Sequence, residues 1–159
     1  MKSNFNSFAI PFIFTPVNNL WAVPAGEYRA RVKTVTVSPC NTDRSKQVFR
    51  FVFDILENAN GPVEKLAKKD YTTGTPSYDQ LQKDLAAFFD PSEVEAMRGT
   101  RTPVDLHALV GKEVDLLICN FTAKGHDEPY SQINRVERPG KYIPDRHTDV
   151  DYEDLALAI

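Results

Sequence analysis

Cysteine and histidine are scarce in this 159-residue chain, which holds two cysteines, Cys40 and Cys119, and three histidines, His107, His126 and His147. Two thiols are too few for a disulfide framework and stand at no metal-ligand spacing, so both read as reduced bystanders. The histidines fall in a helical turn, a loop and the C-terminal stretch. No nucleophile elbow, phosphate-cradling glycine loop or HExxH motif accompanies them. No catalytic residue and no cofactor is therefore assigned, and an enzyme is not expected. Asp149, Asp151, Glu153 and Asp154 with His147 lack the glycine and ligand order of a calcium loop, so no metal site is expected. Long apolar runs are missing too. Asn4, Asn6 and Pro11 break up the N-terminal apolar residues (Phe5, Phe8, Ile10, Phe12, Ile13, Phe14), and no stretch approaches the ~20 apolar residues of a membrane helix. No small-residue cleavage site follows a continuous apolar core. The expectation is a cytoplasmic protein with no membrane partner.

What is present is enough for an ordinary core, since 42% of the residues are apolar and the length suits one domain with appendages. The net charge of −3 argues against a protein that coats nucleic acid by sheer basicity. The charge is segregated, however. Asp145, Asp149, Asp151, Glu153 and Asp154 against Arg146 give residues 145–159 a local −4 and leave +1 on residues 1–144. The division expected is an N-terminal arm at 1–24, a folded domain at 25–143 and an acidic tail at 144–159.

Two alternating patterns dominate residues 26–56. In the first, Arg29, Arg31 and Lys33 share one face and Tyr28, Ala30, Val32 and Thr34 the other, the period of a half-buried strand. In the second, Phe49, Phe51, Phe53 and Ile55 share a core face, with Val48, Arg50, Val52 and Asp54 on the reverse. A turn at Glu57-Asn58-Ala59-Asn60-Gly61-Pro62 leads to a third strand from Glu64 to Thr73. Ser77 with Gln80 three residues on predicts a helix start. Tyr78, Leu81, Leu85, Phe88 and Phe89 then make a buried helical stripe. Asp90-Pro91-Ser92-Glu93 opens a second short helix that stops at Gly99, and Asp105 caps a further turn before Gly111. A fourth strand, Lys112 to Asn120, points Val114, Leu116 and Ile118 one way. A polar loop and a fifth strand, Pro129 to Val136, follow, with Tyr130, Ile133 and Val136 as its apolar contributors. The arm, with its interleaved Asn, Pro and aromatics, is expected to lie across the body and cover apolar surface.

This order is mainly β with a helical insertion between strands three and four, as in a five-stranded oligonucleotide-binding (OB) barrel. With the apolar faces packed inward, Arg29, Arg31, Lys33 and Arg50 come out on one outer surface, and Lys68, Lys69 and Tyr71 extend it along strand three. Tyr130 and Trp21 are the aromatics not consumed by the core. Cations for phosphates and flat rings for bases are what single-stranded nucleic acid requires. An ordinary solvated sheet face carries the same pattern.

Over residues 23–136 the chain resembles phage-encoded OB-fold proteins related to single-stranded DNA-binding proteins. The resemblance rests on Val23-Pro24-Ala25-Gly26-Glu27-Tyr28, Tyr71-Thr72-Thr73-Gly74, Leu109-Val110-Gly111-Lys112-Glu113-Val114, and the closing Tyr130, Ile133 and Val136. It implies sequence-nonspecific binding of single-stranded DNA in phage replication or recombination, in the host cytoplasm. It also implies that the acidic tail, with Asp151, Glu153 and Asp154 before the apolar tip Leu155, Leu157 and Ile159, competes with DNA and recruits replication or recombination proteins. The tail lacks a Pro-Phe end, so no particular partner carries over, and homo-oligomerisation is left open. The other reading is an OB-like interaction module that modulates a host protein without touching DNA.

Overall fold

The computed structural model describes residues 20–122, 124–125 and 130–144. The tail residues Asp151, Glu153, Asp154, Leu155, Leu157 and Ile159 lie outside them. Five antiparallel strands form one sheet: β1 (Gly26–Pro39), β2 (Gln47–Asn58), β3 (Gly61–Thr72), β4 (Glu113–Phe121) and β5 (Tyr130–Glu137), in the order β3-β2-β1-β4-β5. Between β3 and β4 come helix α1 (Pro76–Leu85), a 3-10 turn (Ala86–Phe88), helix α2 (Pro91–Met97) and a second 3-10 turn (Leu106–Leu109). The mainly β architecture with a helical insertion thus holds.

β1 is shared between the two halves of the sheet. It pairs with β2 along its length but with β4 only from Gly26 to Arg31. Register shifts lie between Arg29 and Ala30 and between Val32 and Thr34. An extra residue bends a strand and reverses its facing, and Lys33 does so here: Val35, not Thr34, is buried beyond it. β5 shifts between the pairs Leu117–Arg135 and Ile118–Ile133. That shift lets Ile133 and Val136, three apart, both reach the core.

The core gathers Tyr28, Val32, Phe51, Phe53, Ile55, Tyr71, Leu109, Leu116 and Ile118, with Leu81 and Phe88 from the insertion. Phe51 stands at the centre of the aromatic packing, against Phe53, Tyr71 and Phe88 with ring centroids 5.6–6.3 Å apart. The second strand's phenylalanine face is therefore core, as its alternation requires. α1 starts one residue pair earlier than Ser77 suggests. Thr75 precedes it, Pro76 opens it, and the Ser77 hydroxyl accepts the Thr72 N–H of β3 at 2.9 Å. The expected cap serves the incoming strand instead. α2 begins as expected at Pro91, where the Glu93 carboxylate accepts the Asp90 N–H at 3.2 Å. Gly99, at φ +73, follows its end, and Asp105 accepts the His107 N–H at 3.0 Å.

Both ends of the described chain are fastened to the sheet. The Leu20 carbonyl accepts the Leu66 N–H of β3 at 2.7 Å. Buried Val23 exchanges backbone bonds with the Ser131 hydroxyl of β5, at 2.9 and 2.8 Å. Residues 20–23 thus span from one sheet edge to the other. At the other end, the fully buried Asp115 carboxylate accepts the Gly140, Tyr142 and Ile143 N–H groups at 2.8–3.0 Å. It also takes the Arg29 Nε at 2.5 Å.

Removing one partner of a buried, hydrogen-bonded ion pair leaves a desolvated charge. Asp115→Ala is therefore expected to cost about 3–5 kcal/mol. Urea unfolding followed by far-UV circular dichroism measures it, and a loss below about 1 kcal/mol contradicts the clasp.

Candidate nucleic-acid interface

The outer face of β1-β2-β3 follows from the register. Across the three strands the rows run Ser38–Val48–Thr72, Thr36–Arg50–Asp70, Thr34–Val52–Lys68 and Arg31–Asp54–Leu66. Arg31, Lys33, Arg50 and Lys68 are exposed here, so four of the cations expected on this face are on it. Two carboxylates moderate them. Arg50 holds Asp70 through two bonds, 2.8 and 2.9 Å. Asp54 stands 3.8 Å from Arg31 and 3.9 Å from Lys33. Lys68 is within salt-bridge distance of no carboxylate among the described residues. Pairs this exposed contribute little and yield readily to a competing anion.

Three expected site residues are elsewhere, and each is a correction. Arg29 lies opposite Asp115 across β1 and β4. Residues 140–143 cover that part of the sheet, and Arg29 is only 8% exposed. It bonds Asp115 and the Ile143 carbonyl and lies 3.5 Å from Glu113. Tyr71 pairs with Phe49 and shares its inward face. Its hydroxyl donates to Asp84 of α1 at 2.5 Å. Lys69, two residues before it, points the same way and reaches the same Asp84 oxygen at 2.8 Å. Gln80 completes the buried Asp84 with a bond of 2.9 Å. Lys69 and Tyr71 thus dock α1 on β3, and neither is presented to a ligand.

A groove of about 420 Å³ opens on the outer face, with Arg31, Lys33 and Asp54 on one side and Leu20, Leu56, Val63 and Leu66 giving it apolar walls. Leu20 comes from the segment joining the sheet edges. Trp21 follows, 47% exposed, and two residues later Val23 is held by Ser131, the neighbour of Tyr130. Three residues of extended chain reach at most ~11 Å, so groove, Trp21 and the start of β5 are consecutive along one short path. Tyr130, 52% exposed, lies against Phe121, 45% exposed, with ring centroids 6.2 Å apart. Phe121 belongs with the expected aromatics but was unnamed among them. Its signal was its position at the end of β4, directly opposite Tyr130.

No protein-family model matches the chain, and no curated protein is significantly similar to it in sequence.

Burial, and after it the negative charge of Asp84, push the Tyr71 phenol well above its ordinary value of 10.0. A raised value means the folded state holds the proton more tightly than the unfolded chain. Its contribution to stability is complete below about pH 10 and is lost as pH rises beyond it. In an alkaline titration followed by phenolate absorbance, Tyr71 should ionise only together with unfolding. Tyr71→Phe leaves Asp84 short of a donor and should lower stability by about 1–3 kcal/mol.

Proposed function

We propose that the protein binds single-stranded DNA without strong sequence preference, along the outer face of β1-β2-β3 and past Trp21 to the Phe121–Tyr130 pair. The observation that carries this reading is the groove in which Arg31 and Lys33 flank apolar walls, continued along residues 20–23 to exposed rings. Phosphates meet cations and unpaired bases meet flat apolar surface, each stacked base contributing about 1–3 kcal/mol. The strand order supports an OB-like architecture. β1 lies between β2 and β4, β3 and β5 form the two edges, and some Cα atoms of those edges approach within 8 Å. α1 packs against both edges, where an OB barrel carries its plugging helix. No β3–β5 ladder is formed among the described residues. The proposed closure uses residues 20–23 as the bridge.

The acidic tail belongs to the same proposal through its charge. Residues 145–159 carry −4, so the tail competes with phosphate for this face and, when DNA displaces it, offers its apolar tip to replication or recombination proteins. A second reading, an interaction module that binds protein rather than DNA, is favoured by the pairing of three of the four face cations with Asp54 and Asp70.

Titration of labelled oligo(dT) at two salt concentrations separates the two. Binding that falls steeply with salt is expected, with duplex of equal length bound far more weakly. Arg31→Ala and Lys68→Ala should each weaken binding and lower the log–log salt slope by ~0.7. Asp54→Asn should tighten binding, because it frees both neighbouring cations. Equal affinity for duplex and single strands overturns the stacking mechanism, and absence of salt-sensitive binding leaves the protein-binding reading.

Deleting residues 145–159 is expected to tighten oligo(dT) binding more at low salt than at high, since competition between charges is screened. Unchanged affinity with an unchanged fold removes the tail from the mechanism.

A further inference from the structure

β1 outruns β4. From Thr34 to Pro39 it pairs with β2 on one side, while its other side forms no ladder among the described residues. Edge strands in stable monomers are usually blunted by charge, irregularity or cover. Here residues 34–42 carry no charged side chain at all, and Val37 is 49% exposed.

The backbone alternation of this edge is fixed by its neighbours. Val32 bonds Lys112 and Gly111, on the side away from β2. The extra residue Lys33 advances the alternation by one, so Val35 and Val37 turn their N–H and C=O groups to the open side.

We propose that this edge pairs antiparallel with the same edge of a second copy, about a two-fold axis at Thr36. The segment is self-complementary in that arrangement. Val35 of each chain exchanges both backbone bonds with Val37 of the other, giving four inter-chain hydrogen bonds, and Thr34 stands opposite Ser38. The partly exposed Val37 is then laid against the other copy's Val35. Pro39 ends the ladder on each side, which sets its length and register. Val110, 46% exposed and adjacent to Gly111, adds apolar surface at the near end of the same edge. Pairing of this kind joins the outer faces of two sheets into one six-stranded surface, and it stands independently of the DNA-binding reading.

Sedimentation velocity of the full chain over the micromolar range should show a dimer. Val37→Pro removes an outward N–H without touching the β1–β2 ladder. It should raise the dimer dissociation constant by roughly tenfold or more, because two inter-chain bonds are lost, with an unchanged circular dichroism spectrum. In a Cys40→Ser, Cys119→Ser background, Thr36→Cys should form an inter-chain disulfide on mild oxidation. Non-hydrogen-bonded partners in antiparallel strands lie about 4.5 Å apart at Cα, within disulfide reach. A chain that stays monomeric, or a dimer indifferent to Val37→Pro, overturns the proposal. A dimer whose Thr36→Cys form fails to cross-link overturns the axis at Thr36.

Discussion

One buried carboxylate holds this fold in register. Asp115 has no exposed surface, and an unpaired charge there would cost several kcal/mol. Its four donors come from three separate places, namely Arg29 in β1 and, beyond β5, Gly140 and the pair Tyr142–Ile143. The requirement that they converge fixes the β1–β4 register and folds the chain after β5 back over the sheet. Buried Ile143 then closes the layer, and the Arg29 guanidinium returns a bond to its carbonyl. The bonds satisfy the charge, and the apolar cover excludes the water that would screen it.

Asp84 repeats the device on α1. There the donors are Lys69 and Tyr71 of β3 and Gln80 of α1, so a helix rather than a chain end is tied to the sheet. Between them the two carboxylates absorb three basic or aromatic residues that would otherwise have read as ligand contacts. The exposed face keeps Arg31, Lys33, Arg50 and Lys68, whose partners are looser and wetter.

The order of elements along the chain, the phenylalanine face of β2, the second helix start and the glycine stops were legible in the sequence because each is a local signal: alternation, a cap, a turn glycine. The facing of β3 was not, since Lys65, Lys68, Lys69 and Tyr71 give no apolar alternation, and the strand's parity is inherited from its register with β2. Arg29 misled for a related reason. Period two puts it with Arg31, but burial on that side depends on residues 140–143, over a hundred positions away. Asp115 between Val114 and Leu116 was the available clue, a carboxylate flanked on both sides by core residues. The bulge at Lys33 was invisible to a strict alternation, which placed Thr34 where the fold uses Val35.

The clasps at the two ends have a geometric consequence. Val23 is held at Ser131, opposite Asn120, while residues 140–143 are held at Asp115. The two anchor points are five residues apart along β4, about 17 Å of strand. The two clasps thus grip the β4–β5 hairpin at opposite ends: among the described residues, the chain enters past the groove wall at Leu20 and leaves on the rim where Arg29 is sealed.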